Sequence, residues 1–157
     1  MNAVNVKTNI DVIEEGKKVV RIETRSVAEL EKRIDENFAR AVELILKCRG
    51  RVIVTGVGKS GIIARKIVAT MNSTGTPAMF MHPSDAIHGA LGMVRKEDVV
   101  VCISKSGNTD ELSSLLPMFK RLGVPIVSLV GKLQSTLAQE STVVLDASVE
   151  EEACPHD

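Results

Sequence analysis

The chain alternates between short runs of β-branched residues and longer stretches in which apolar positions recur every three or four residues. Five runs read as strands, at 51–55, 78–81, 99–103, 125–130 and 142–145. Between them, Ile63, Ile67 and Met71 fall at steps of four, and Leu112, Leu115, Leu116, Phe119 and Leu122 share one helical face. Upstream, Phe38, Val42, Ile45 and Leu46 mark a helix that Asp35 is placed to cap and Gly50 to end. Strands one, three and four are continuous apolar runs, the pattern of strands buried on both faces. Alternation of such strands with helices predicts an α/β fold: a parallel, doubly wound sheet with helices on each side.

The remaining segments are less regular. Residues 1–8 read as ragged, and from there to Ala39 the chain is charged, with apolar residues at Val12, Val19, Val20, Val27, Leu30 and Ile34. That stripe predicts a helical stretch, broken or kinked between Glu23 and Ser26, and so thin a stripe means a weakly held helix in a monomer or a subunit contact in an oligomer. Residues 82–96 read as irregular and hold Ser84, Asp85, His88, Gly89 and Gly92. Pro117 falls inside the helix after strand three and predicts a kink, because its ring removes a backbone donor. Gly123 closes that helix, and a short helical turn is expected around 135–139. Internal repeats and low-complexity tracts are absent, which excludes solenoids and linkers.

Composition narrows the functional classes. At 157 residues the chain is one domain that needs no disulfide or metal to stabilise its core. Its net charge is zero with a quarter of residues ionisable, so no basic face for nucleic acid is implied. No apolar run approaches the roughly 20 residues that span a bilayer, and the N-terminus has no signal-peptide core. Cys48, Cys102 and Cys154 are too few and too scattered for a disulfide framework or a zinc site, and a cytoplasmic, reducing compartment fits them. Trp and Tyr are absent and Phe is limited to three positions, so the core is aliphatic and base stacking on aromatic platforms is excluded.

Candidate chemistry lies in two loops. After strand one comes Gly56-Val57-Gly58-Lys59-Ser60-Gly61, where glycines allow a sharp turn and the N–H groups of a helix start suit an anion. The spacing matches a dinucleotide fingerprint, but strand two ends in Met81-His82 without the carboxylate that would hold a ribose. A triphosphate loop would need glycine where Ile53 stands. After strand three comes Ser104-Lys105-Ser106-Gly107-Asn108-Thr109. Both loops lie beyond the carboxyl ends of their strands, where ligands of such sheets bind. Ser104, Ser106 and Thr109 offer three hydroxyls to the three terminal oxygens of a phosphate. The competing reading is ordinary capping, with Asn108 as cap and Glu111 completing a capping-box-like pair. Lys59 is either a ligand-holding ammonium or a solvated lysine, and the loop around it favours the first. His88 is a possible acid or base, though a lone histidine is more often structural or solvated. Glu152 belongs to an acidic run that would ordinarily be a solvated face, set apart only by Ala153-Cys154-Pro155.

Six stretches in order carry a resemblance: Val57-Gly58-Lys59-Ser60-Gly61, Ser73-Thr74-Gly75-Thr76-Pro77, His82-Pro83, His88-Gly89-Ala90-Leu91-Gly92, Ser104-Lys105-Ser106-Gly107 and Glu152-Ala153-Cys154-Pro155. Together they resemble the sugar isomerase (SIS) domain, and within it the D-arabinose 5-phosphate isomerase family, from about Asp35 to Pro155. The resemblance implies a three-layer α/β/α sandwich with a five-stranded parallel sheet. It divides the chain into an N-terminal helical segment, 1–34, and the SIS domain, 35–157. It implies interconversion of D-ribulose 5-phosphate and D-arabinose 5-phosphate, the entry to 3-deoxy-D-manno-octulosonate (Kdo) and lipopolysaccharide synthesis. No metal or organic cofactor is implied, and the assembly expected is a homotetramer with sites at subunit boundaries. Carried over by position, Ser60, Ser104, Ser106 and Thr109 would hold the phosphate, Gly58 would be a further substrate-binding residue, and Lys59 would orient the sugar. Glu111 and Glu152 become candidates for proton transfer, and His88 for the oxygen shuttle or ring opener. A sugar-phosphate sensor without turnover and another isomerase, such as 3-hexulose-6-phosphate isomerase, are the rival expectations. Lys105 stands where the family usually has Asn or Ala, Asn108 where it has Glu, and Ala90 where Asp is common. Relatives continue past the position of Asp157 into a long helix with a further histidine and often two cystathionine β-synthase (CBS) modules. The expectation is therefore a fragment of a longer protein, or reduced catalysis.

Overall fold

A computed structural model describes residues 11–154. The ragged start expected over 1–8 and the Pro155 of the last motif lie outside them. The described residues divide into two compact units, 11–31 with 149–154, and Lys32–Ser148.

The larger unit is built on five strands: β1 (Val52–Gly56), β2 (Ala78–Phe80), β3 (Val99–Ser104), β4 (Ile126–Val130) and β5 (Val143–Asp146). They form one sheet in the order β2-β1-β3-β4-β5, and every neighbouring pair is parallel. The helices are α2 (Glu36–Leu46), α3 (Lys59–Ser73), α4 (Pro83–Ile87), α5 (Asp110–Ser113), α6 (Leu116–Leu122) and α7 (Thr136–Glu140); α1 (Val12–Glu29) belongs to the smaller unit. Strand alternation sorts the core into two halves. Val52, Val54, Val99, Val101, Val127 and Val143 meet Ala41, Leu44 and Ile45 of α2 and Ala64, Ile67 and Val68 of α3 on one face. Ile53, Val100, Cys102, Ile126 and Val130 meet Leu112, Leu115, Phe119 and Leu137 on the other. The result is the three-layer α/β/α sandwich, with a mainly aliphatic core on each side of the sheet. Cys102 is fully buried, and burial pushes its thiol pKa up to about 12, so it is a core residue and not a nucleophile.

Several expectations are corrected. α1 runs unbroken through residues 23–26, where neither glycine nor proline interrupts it. The change of geometry comes later, in a 3₁₀ turn at Leu30–Arg33. Pro117 does not kink one long helix: the helix is two, and Pro117 sits in the first turn of α6, where its missing N–H costs nothing. Residues 82–96 are not wholly irregular. His82 caps α4, its Nδ1 accepting from Ser84 N at 3.2 Å, and a 3₁₀ turn follows at Ala90–Met93. Asp35 does cap α2, accepting from Asn37 N and Phe38 N at 2.9 and 3.2 Å. Gly50 does not end that helix, whose C-cap is Lys47. Gly50 is needed for close approach instead, since a Cβ there would lie 2.2 Å from Asp98 Oδ1.

At the end of β5, the Asp146 carboxyl faces opposing influences. Burial pushes its pKa up, but hydrogen bonds from Ser148 and the nearby Arg33 guanidinium outweigh that and hold it below the usual carboxylate range. In the smaller unit, Arg25 lies 3.5 Å from Glu151, and Ile22 is buried beside Val149. Among the described residues, no helix is long and apolar enough to cross a membrane.

Asp98 ties the amino ends of two central strands together. It is 1 % exposed; Oδ1 accepts from Arg51 N at 2.7 Å and Oδ2 from Arg95 N at 2.8 Å. Asp98→Ala would leave both N–H groups without that acceptor, so it is expected to cost about 3 kcal/mol of stability by chemical denaturation, with Asp98→Asn costing less.

Candidate functional site

The strand order reverses between β1 and β3: α3 carries the chain from β1 outward to β2, while every later strand is added on the other side. At such a switch point the two flanking loops separate and leave a crevice at the carboxyl edge. Gly56 pairs with Ile103 across that edge.

The first loop depends on three glycines. Gly58 has φ +57°, a region open to glycine at little cost, and serves as N-cap of α3. Cβ atoms on Gly56 or Gly61 would press on backbone, the second lying 2.7 Å from Gly56 O, so α3 starts directly against the end of β1. Lys59 and Ser60 are the first two residues of α3; Lys59 is exposed and Ser60 half-buried.

The second loop is held by its own hydroxyls. Ser104, buried at the end of β3, accepts from Gly107 N at 3.0 Å and pairs with Thr109 Oγ1 at 3.0 Å. Ser106 Oγ accepts from Asn108 N at 3.3 Å. Asn108 is not the helix cap expected of it. The N-cap of α5 is Thr109, which makes no side-chain cap bond, and Asn108 Oδ1 instead accepts from Thr136 N at 2.9 Å. The capping-box reading of Asn108 with Glu111 therefore falls, because the amide serves a neighbouring loop.

That neighbour follows β4 and went unnoticed in the sequence. Gly131 N donates to Lys105 O at 3.0 Å, and Leu137 N donates to Gly107 O at 3.0 Å. The available signal was the same one used twice already: an apolar strand running into glycine, here Val130-Gly131-Lys132.

Six residues from these three loops line one cavity of about 340 Å³: Ser60, Ser104, Lys105, Ser106, Thr109 and Lys132. Four of these residues carry hydroxyls and two are lysines, and no acidic residue lines the cavity. Such a lining favours an oxyanion, which takes hydrogen bonds from the hydroxyls and charge from the lysines. Lys59, His88 and Glu111 are not part of this lining. His88 is the exposed C-cap of α4, and α4 packs on α5, which carries the half-buried Glu111. Glu152 lies in the smaller unit, lining a groove with Ile22, Val27 and Val149. Among the described residues no three His, Cys, Asp or Glu side chains group as a metal site.

A family model, the SIS domain, matches residues 45–156. The chain belongs to the SIS domain family. Arabinose 5-phosphate isomerase KdsD of Pseudomonas aeruginosa is 47% identical over 151 residues, which are 96% of this chain and 46% of that protein. KdsD of Escherichia coli K12 is 45% identical over 155 residues, 99% of this chain and 47% of its own. The chain thus spans about half the length of the curated relatives it matches. Among solved structures, Escherichia coli CFT073 c3406 in complex with arabinose 5-phosphate superposes with a TM-score of 0.84 at 40% identity, covering 94% of this chain and 79% of that one. The SIS domain match takes in β1 to β5 and all six cavity-lining residues.

The Ser104 hydroxyl holds its loop together, so Ser104→Ala is expected to destabilise the chain by about 1–2 kcal/mol and to weaken binding of inorganic phosphate at least fivefold, on the order of one lost hydrogen bond. Calorimetry read beside a denaturation curve checks both.

Proposed function

We propose that the chain is the isomerase domain of an arabinose 5-phosphate isomerase, interconverting D-ribulose 5-phosphate and D-arabinose 5-phosphate through an enediol. One observation carries the reading: hydroxyl-bearing residues of the β1 and β3 loops line a single cavity at the switch point, with room for a phosphate and the sugar attached to it. The likeness to KdsD proteins and to c3406 with arabinose 5-phosphate bound supports the choice of sugar.

In this reading Ser60, Ser104, Ser106 and Thr109 hold the phosphate, with Gly58 giving the first loop its turn. Anchoring that remote group lets its binding energy orient the reacting carbons. Lys59, exposed at the start of α3, orients the sugar and offsets the negative charge that develops on oxygen as the enediol forms. Moving a carbonyl between C1 and C2 takes one proton between those carbons and others between the oxygens. Glu111 and Glu152 are the carboxylates for the carbon proton, and His88 carries protons on the oxygens or opens the ring. This chemistry requires no metal or organic cofactor.

A homotetramer in the cytoplasm completes the reading. Val12, Ile13, Val20 and Val27 of α1, and separately Phe38, Val42 and Leu46 of α2, are exposed, as surfaces awaiting other subunits would be. The three cysteines are free, in keeping with a reducing compartment. Light scattering is expected to give the mass of four chains; a monomer at micromolar concentration overturns the assembly.

A second reading is favoured by the absence of Lys59, His88 and Glu111 from the cavity lining: a module that grips the sugar phosphate without turning it over. Incubating the purified chain with D-ribulose 5-phosphate and resolving the products separates the two. Appearance of D-arabinose 5-phosphate supports the isomerase, and binding without product supports the sensor. For the isomerase, Lys59→Ala is expected to lower kcat/KM by about 100-fold while changing stability by less than about 0.5 kcal/mol. A collapse in stability would show Lys59 to be structural.

A further inference from the structure

We propose that Lys132, on the loop after β4, is a third-loop phosphate ligand that makes the site selective for the doubly charged form of a phosphate monoester. The inference rests on the reading of this cavity as a phosphate site and adds a residue to it.

Lys132 is not merely near the cavity; the backbone beneath it is fixed. Gly131 N donates to Lys105 O at 3.0 Å, and a Cβ on Gly131 would lie 2.8 Å from that oxygen, so glycine alone permits this approach. Four residues further on, Ser135 Oγ occupies the space a Cβ on Gly107 would need, 2.0 Å away. Thr136 N donates to Asn108 Oδ1 at 2.9 Å and Leu137 N to Gly107 O at 3.0 Å. Three hydrogen bonds and two glycine contacts therefore join the segment around Lys132 to the loop that carries Ser104 and Ser106. The Lys132 stem starts from this joined wall, and the residue lines the same cavity as Ser60, Ser104, Ser106, Thr109 and a second lysine, Lys105, whose charge adds to its own.

The chemistry of the lining gives the preference. Hydroxyls bind a phosphate in either ionisation state, donating or accepting as required. An ammonium has three donors and no acceptor, so it gains most from an oxygen carrying full negative charge and much less from a protonated one, a weaker acceptor. A phosphate monoester loses its second proton near pH 6. Lys132 therefore tightens binding of the dianion more than of the monoanion.

The test is calorimetric titration of the whole 157-residue chain and of Lys132→Met and Lys132→Arg with inorganic phosphate and, separately, D-arabinose 5-phosphate, at pH 5.5 and 7.5. Lys132→Met is expected to weaken binding at pH 7.5 by roughly tenfold and to flatten the gain in affinity between the two pH values. Lys132→Arg should keep most of both, and melting temperatures should not move, since Lys132 is exposed and Met retains the apolar stem. Equal affinity and an equal pH response in native and Lys132→Met overturn the inference. If phosphate binding depends on Lys132 while the sugar phosphate neither binds nor turns over, the inference stands and the isomerase reading fails. If the sugar phosphate turns over and its binding ignores Lys132, the reading stands and the inference fails. Should the native chain bind neither, both fall.

Discussion

The parallel pairing of β1 with β3 is the constraint from which the rest follows. Val52 to Gly56 runs beside Val99 to Ile103 residue for residue, so Gly56 and Ser104 reach the same edge together. Two loops far apart in sequence are thereby brought side by side by the pairing of their strands. The free energy comes from the valines and isoleucines of both strands, nearly all fully buried, each worth about 1.5–3 kcal/mol when removed from water. Apolar burial in the strands thus sets where the hydroxyls meet.

Most of this was legible in the sequence, for a physical reason. Strands buried on both faces leave unbroken apolar runs, and the glycines after them mark turns that other residues resist, so the strands and both loops could be read from order alone. What escaped involved partners distant in sequence. Asp98 reads as the first polar residue before a strand, yet it accepts from two backbone N–H groups, one of them on Arg51. Gly50 reads as a helix stop but serves to make room for that carboxylate. Asn108 has the local signature of a cap, and a tertiary donor, Thr136 N, took its oxygen instead. In each case a local rule offered one partner and the fold supplied a better-placed one.

The helical errors have a different origin. Leu112 to Leu122 lie on one apolar stripe, and periodicity cannot distinguish one helix from two that share a face. Leu115 N and Met118 N bond to carbonyls three residues back, tightening the junction so that Pro117 falls in a first turn. The stripe that suggested continuity is real: Leu112, Leu115, Leu116 and Phe119 are all buried in one cluster.

The site itself separates gripping from reacting. Ser104 and Asn108 already have partners within the loops, so the proposed anion site is preorganised by bonds that exist before any ligand arrives. The groups proposed to act on the sugar sit differently: Lys59 and His88 are exposed, at the first residue of one helix and the C-cap of another, and Glu111 is half-buried in a four-residue helix. A rigid grip on a remote phosphate, with reactive groups on short or exposed elements around it, lets one anion-binding frame serve several sugar chemistries. On the proposed reading, affinity for the phosphate depends on the three-loop frame, and the choice of reaction depends on side chains that can vary without disturbing it.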